Sequence, residues 1–285
     1  MEAIFRPGTV DDAKACGAIC YGAFKTIAEQ HNFPPDFPSA DAAVGLLTMV
    51  LSRTDVFSVV AEREGRVVGS NFLWEGDTIA GVGPITVLPA SQNGSIGRQL
   101  MECILDRAHT QRRVGVRLVQ AAYHNRSLSM YTKLGFDVRE PLSAMQGPAL
   151  KLELPGYTVR QATVGDLEAC NHLCMGAHGH NRSVEVAGAI AQGTARVVKR
   201  GGRITGYATD IGYFAHAVGQ SNEELKALIG AASAIVGPGF LLPTRNAELF
   251  RWCLAHGLRV VHPMTLMSRG LYQKPAGAFL PSVLY

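Results

Sequence analysis

Residues 5–24 and 159–178 are two copies of one pattern. FRPGTVDDAKACGAICYGAF and VRQATVGDLEACNHLCMGAH align without a gap. Nine of the twenty positions are identical: Arg6/Arg160, Thr9/Thr163, Val10/Val164, Asp12/Asp166, Ala15/Ala169, Cys16/Cys170, Cys20/Cys174, Gly22/Gly176 and Ala23/Ala177. A repeat of this kind describes a duplicated chain with two related domains. Each copy reads as a short strand followed by a Thr-x-x-Asp helix start. The threonine oxygen can cap first-turn amides, and the aspartate favours the positive end of the helix.

Two further echoes extend the plan. AEREGRVVGSNFLW (61–74) and VVKRGGRITGYATD (197–210) each place a glycine-bearing turn between β-prone runs, the pattern of a hairpin. NRSLSMYTKLGF (125–136) and NAELFRWCLAHGL (246–258) each start an amphipathic helix at asparagine and end it at a glycine suited to a left-handed C-cap. PALKLELPGY (148–157) carries prolines that interrupt both patterns and reads as the join. The expected organisation is a domain over 1–150 and a second over 155–285, both mixed α/β. The apolar tail GAFLPSVLY is expected to dock as a strand or edge.

Composition narrows the function. With 47% hydrophobic and 18% charged residues and a net charge of +4, the chain reads as an ordinary globular protein. No apolar run reaches the roughly 18 residues of a membrane helix, and the N-terminal residues lack a secretion signal's basic and apolar regions. Apart from Arg112, Arg113 and Arg117, which read as a solvated helix end, basic residues are dispersed and not interleaved with aromatics, which argues against nucleic acid. Six cysteines without a CxxC pair suit reduced thiols and a cytoplasmic protein. Cys16/Cys20 and Cys170/Cys174 are spaced for helix packing rather than for a zinc knuckle, and His178 and His180 lack a third ligand, so no metal site is expected.

The chemistry concentrates in VLPASQNGSIGRQLM (87–101). A β-prone run stops at Pro89, and Gln92, Asn93, Gly94, Ser95, Ile96 and Gly97 lead into a helix with Leu100, Ile104 and Ala108 on one face. Strand, glycine-bearing turn and helix N-terminus together make an anion site: amides point outward and the helix dipole favours negative charge. Phosphate is the natural guest.

Here the residues resemble the GNAT superfamily of N-acetyltransferases, in the tandem form with a divergent C-terminal copy. The family's Gln/Arg-x-x-Gly-x-Gly/Ala turn, which wraps the pyrophosphate of acetyl-coenzyme A, is matched by Gln92, Ile96 and Gly97, with Val87 and Pro89 before it. Ser95 stands where the family has glycine, and Gly94 falls one residue early; a positive φ at Ser95 would cost on the order of 1 kcal/mol. Asn125-…-Tyr131-Thr132-Lys133-Leu134-Gly135-Phe136 resembles the family's closing helix. The resemblance implies two GNAT-like domains, each a central, twisted, mostly antiparallel sheet flanked by helices. It implies acetyl-CoA as cosubstrate, held by Val87, Gln92, Asn93, Gly94, Ser95, Ile96, Gly97, Arg98 and Asn125, with Tyr131 protonating the departing thiolate. The alternative reading of Tyr131 is an aromatic packed under a loop; the flanking match favours the functional one.

In that reading the acceptor is a primary amine of a small molecule or peptide, attacking directly in a ternary complex. EQHNFPPDFPSADAA (29–43), with Asp36 and Asp41, is expected to form part of its wall. Glu75 and Asp77 are the nearest candidates for a base, beside relay by water. The second copy has no glycine turn, and Cys253 or Trp252 stands where a tyrosine would, so it is expected not to bind coenzyme A. A catalytically silent acyl-CoA-binding protein and transfer from a longer acyl-CoA are the competing readings. Monomer and homodimer are both compatible with the sequence.

Overall fold

The computed structural model describes residues 2–92 and 94–284. They form two compact units, one of residues up to 118 with 124–136, the other of 119–123 with 137 onward.

The elements of the first unit are β1 (Ile4–Pro7), α1 (Ala13–Gln30), α2 (Ala40–Leu51), β2 (Val56–Arg63), β3 (Arg66–Trp74), β4 (Ile79–Val82), β5 (Thr86–Val87), α3 (Ile96–Thr110), β6 (Gly115–Ala121) and α4 (Asn125–Lys133). Its sheet runs β1-β2-β3-β4-β6, and β5 also pairs with β3. All pairs are antiparallel except β4 with β6. Consecutive residues of β3 face opposite ways. Phe72 enters a core with Cys16, Cys20, Leu47 and Val50 of α1 and α2. Asn71 turns to the other face, where its amide donates to the Leu100 carbonyl of α3. The sheet is therefore sandwiched between α1–α2 and α3, whose Leu100, Ile104 and Ala108 are buried as expected.

The second unit continues with β7 (Asp137–Gln146), β8 (Tyr157–Gln161), α5 (Leu167–His178), α6 (Ser183–Gln192), β9 (Arg196–Arg200), β10 (Arg203–Ala208), β11 (Ala217–Gly219), α7 (Asn222–Gly230), β12 (Phe240–Pro243), α8 (Ala247–Ala255), β13 (Arg259–Gly270) and β14 (Ala278–Leu280). An antiparallel sheet β14-β11-β10-β9-β8 is covered on one face by α5 and α6, through Cys170, Cys174, Val186 and Ala189 against Val197 and Tyr207. On the other face Leu225, Leu228, Leu249 and Cys253 of α7 and α8 meet Val198 and Ala208. The tail docks as the edge strand β14 on β11.

The compact units do not divide where the sequence repeat does. β7, the last strand of the first repeat, lies between β12 and β13 of the second, antiparallel to both. Nine registered residues of β13 and four of β12 hold it there, so it packs with the second repeat.

The repeated helix start is the same device twice. Asp12 accepts from the Thr9 amide at 2.8 Å and Thr9 Oγ1 at 3.2 Å, and Asp166 from the Thr163 amide at 2.8 Å and Thr163 Oγ1 at 2.9 Å. Each threonine side chain in turn accepts from the amide of its aspartate, so the two residues form a reciprocal capping box. Arg6 and Arg160 each clamp their aspartate bidentately. Hydrogen bonds from Arg160 hold the Asp166 carboxyl well below the usual carboxylate range. A depressed carboxyl stabilises the fold above its unfolded pKa of about 4 and loses that contribution as pH falls through its folded value. Asp166→Asn should therefore cost about 1–2 kcal/mol at neutral pH. In urea melts its deficit against wild type should persist at pH 5 and close only in strong acid.

Candidate active site

The site is built where the fourth strand of the first repeat breaks. β4 pairs with β3 through Val82 and with β6 through Ile79, Ala80 and Gly81. After Gly83, Pro84 and Ile85 the chain returns to β3 as β5, with Thr86 opposite Ser70 and Val87 opposite Gly69. Three residues thus face the two residues Asn71 and Phe72, a bulge of one residue. The Trp74 indole donates to the Gly83 carbonyl at 2.8 Å and pins the break. Leu88 donates its amide to the Val68 carbonyl. By alternation along the strand, the amide and carbonyl of Val87 point away from β3.

The turn that follows is closed on itself. Gln92 Nε2 donates to the Val87 carbonyl at 3.2 Å, and Arg126 of α4 donates to Gln92 Oε1 at 3.5 Å. Ser95 adopts the left-handed conformation, φ 62° and ψ −4°. The turn has kept the backbone that favours glycine and accepted the cost of serine. Its side chain is tied outside the turn, accepting from Gln99 Nε2 at 3.2 Å, and does not cap α3. No acidic residue occupies the first turn of α3. Among the described residues no side chain takes the N-terminal amides of α3, which suits them to an outside acceptor. A side chain at Gly97 would come no nearer than 3.7 Å to Met130 Sδ and Val87 Cγ2. The protein's own packing does not demand this glycine. Asn93 lies outside the described residues.

The other cofactor candidates divide. Ile96 is buried at 2% exposure, so its side chain anchors the helix and only its amide faces the turn. Arg98 is exposed and paired with Glu102 at 2.8 Å. Arg98 and Asn125 line a cleft of about 670 Å³ together with Arg126, Ser129, Met130, Lys133 and Leu134. Asn125 is the first residue of α4, and His124 caps that helix by accepting from the Ser127 amide at 3.4 Å. Arg126, Met130 and Lys133 were not singled out from the sequence, although their spacing marks one face of the helix.

Tyr131 is on the opposite side of α4 and is 5% exposed. Burial pushes its phenol up to about 12, against a hydrogen bond with Ser127. Glu75, a base candidate from the sequence, is paired with Arg107, the shortest contact being 2.9 Å. The Asp77 carbonyl accepts from Arg113 at 3.1 Å. In the loop between α1 and α2, Asp36 is half-buried, and desolvation pushes its carboxyl up to about 6. Asp41 sits in the first turn of α2, beneath the Ser39 cap.

In the second unit the matching helix start is closed. Ser221 and Glu224 form a capping box at α7. Glu224, 1% exposed, accepts from the Ser221 amide at 2.8 Å and hydroxyl at 2.6 Å. A carboxylate of the chain itself thus sits at the helix N-terminus. At the tyrosine position of the repeat, Cys253 is fully buried and Trp252 stacks on His256.

A split strand, a helix N-terminus that no described side chain caps, and a cleft lined by Arg98, Arg126 and Lys133 together have the chemistry of a site for a phosphorylated ligand. The acetyltransferase (GNAT) domain family matches residues 54–138, the stretch from β2 through α4. An IAA acetyltransferase of Azospirillum brasilense is 31% identical over 118 residues, 40% of this chain and 76% of that protein. A Pyrococcus horikoshii protein shares the fold with a TM-score of 0.77 at 16% identity, over 99% of this chain and 94% of the other. A tandem GNAT protein from the clavulanic acid biosynthesis pathway shares it with a TM-score of 0.56 at 15% identity, over 94% and 98%. The chain belongs to the GNAT acetyltransferase family and has the fold of its tandem members.

Proposed function

We propose that the chain transfers the acetyl group of acetyl-CoA to the primary amine of a small molecule or peptide, by direct attack in a ternary complex. The observation that carries this reading is the Ser95 turn: a left-handed backbone retained at a non-glycine residue, opening onto amides of α3 that no described side chain caps. The donor's pyrophosphate fits those amides. Its nucleotide end fits the cleft, where Arg98, Arg126 and Lys133 supply positive charge. We assign the donor to the first domain, expected over 1–150, and none to the domain over 155–285, where Glu224 fills the corresponding place.

The amine nitrogen attacks the thioester carbon, and the Val87 amide, turned away from β3, suits the carbonyl oxygen as it gains charge. The carbon–sulfur bond breaks and the electron pair leaves on sulfur. Tyr131 supplies the proton. A phenol near 12 is a weak acid for an ordinary thiol of about 8.5. The same burial that raises the phenol raises a thiol beside it, as burial in the core of α1 and α2 pushes the Cys16 thiol up to about 11. The two are then better matched, and the phenol can donate as the thiolate forms. Asp36 is ionised at neutral pH; it suits a cationic amine and can take the proton that the amine must lose.

Release of free thiol from acetyl-CoA, measured with pooled amines, peptides and aminoglycosides, tests the reading. Release that depends on one pool supports it and narrows the acceptor. Tight acetyl-CoA binding with no release in any pool favours a silent binding protein. With an active acceptor in hand, Tyr131→Phe should lower kcat about 100-fold and move the KM for acetyl-CoA less than about threefold. Unchanged turnover would make Tyr131 a packing residue.

A further inference from the structure

The hairpin between β2 and β3 brings a second positive element to the phosphate turn. Glu64 and Gly65 have φ of 54° and 71°, so the strands are joined by a tight two-residue turn, with Arg63 paired to Arg66 across it. Such a turn fixes Arg63 at the end of β2. The pairing of Gly69 with Val87, and the bond from the Leu88 amide to the Val68 carbonyl, set this end of the hairpin beside the segment that leads into α3. Arg63 NH2 lies 3.6 Å from the point where a side chain on Gly94 would begin.

Arg63 is half-buried, and its Nε is shielded from solvent with no hydrogen-bond partner. Among the described residues its guanidinium joins no ion pair. The neighbouring carboxylate of Glu62 is committed to Arg6 at 3.0 Å. An unneutralised guanidinium therefore stands beside the positive end of α3, whose first turn holds no acidic side chain. Two like-signed elements brought together without a counter-charge are unfavourable until an anion joins them. The second unit shows the contrast: Arg200, before its hairpin turn, lies over the Tyr157 ring at 5.6 Å, and α7 is closed by Glu224.

We propose that Arg63 is a ligand of the donor's pyrophosphate, reaching the 92–97 turn from the neighbouring hairpin. It selects a nucleotide-bearing thioester over a bare pantetheine one. A guanidinium donates in a fork that matches phosphate oxygens, and the amides of α3 approach the same anion from the helix. The inference rests on the acetyl-CoA reading of this site.

The test is calorimetric binding of acetyl-CoA, its 3′-dephospho form and S-acetylpantetheine to wild type, Arg63→Met and Arg63→Lys. Methionine keeps an unbranched apolar stem and removes the charge. Arg63→Met should bind acetyl-CoA and the dephospho form about 10-fold or more weakly, by the same factor, and S-acetylpantetheine as wild type does. Arg63→Lys should fall between. An unchanged affinity for acetyl-CoA would overturn the role of Arg63 while leaving the donor reading intact. A loss that disappears with the dephospho form would move Arg63 to the 3′-phosphate and overturn the pyrophosphate assignment. An equal loss for S-acetylpantetheine would mean general damage to the site and no phosphate contact. Wild type that binds neither nucleotide form would overturn the donor reading and this inference with it.

Discussion

Gly97→Asp should abolish acetyl-CoA binding, by 100-fold or more, while leaving the melting temperature unchanged or slightly raised. The two effects have opposite signs because they have different causes. Position 97 is the second residue of α3, where a carboxylate interacts favourably with the helix dipole. A Cβ there meets only ordinary van der Waals contacts, 3.7 Å from Met130 Sδ and Val87 Cγ2. The new carboxylate occupies the amides that the donor's phosphates need and repels the phosphates themselves. The second unit already carries this arrangement, with Glu224 closing the start of α7. Gly97→Ala is the control, adding a methyl without charge to a place where the protein has room. A weakening in that variant reads the approach of the ligand. Calorimetry with acetyl-CoA and a thermal melt decide the matter. Gly97→Asp that binds within threefold of wild type would remove the donor from this turn.

The features legible in the sequence are those set by neighbours along the chain. Thr9-x-x-Asp12 and Thr163-x-x-Asp166 declare their helix starts, because a cap needs only residues three apart. Glu64-Gly65 declares its hairpin for the same reason. The cysteines four apart on α1 and α5 pack as small apolar side chains, with Cys16, Cys20 and Cys174 fully buried and Cys170 nearly so. The capping box of Ser221 and Glu224 was open to the same reading, and it explains physically why the second turn is closed. What the sequence hides is set by distant partners. Nothing in Asp137–Gln146 distinguishes pairing with β12 and β13 from pairing with its own repeat, since strand partners are chosen by the sheet as a whole. Serine at 95 does not announce a positive φ; the turn around it imposes one. Glu75 is paired with Arg107, 32 residues away in the chain, a partner its local sequence does not announce. Arg63 becomes interesting only when the hairpin end is placed next to Gly94.

His216→Leu should cost the second unit about 3 kcal/mol and lower its melting transition by about 6–12 °C. His216 is 1% exposed and stands in a line of buried polar groups. Its Nδ1 donates to Glu185 Oε1 at 2.8 Å, and its Nε2 accepts from the Tyr207 hydroxyl at 2.8 Å. Tyr207 also bonds the thiol of Cys174, and Glu185 is paired with Arg182, which donates to Ser282 at 3.2 Å. Five segments of the unit, from α5 to the C-terminal stretch, thus meet through one neutral imidazole. Burial lowers the His216 pKa and favours the neutral form that can donate on one side and accept on the other. Leucine fills similar space and leaves the Tyr207 hydroxyl without its acceptor and Glu185 without one donor. Each orphaned buried group costs about 1–3 kcal/mol. The decisive comparison is the double variant Tyr207→Phe/His216→Leu. Removing the orphaned hydroxyl should restore part of the loss, so the double variant should melt above His216→Leu alone. If the two losses simply add, the hydrogen bond contributes nothing and His216 acts only by filling volume.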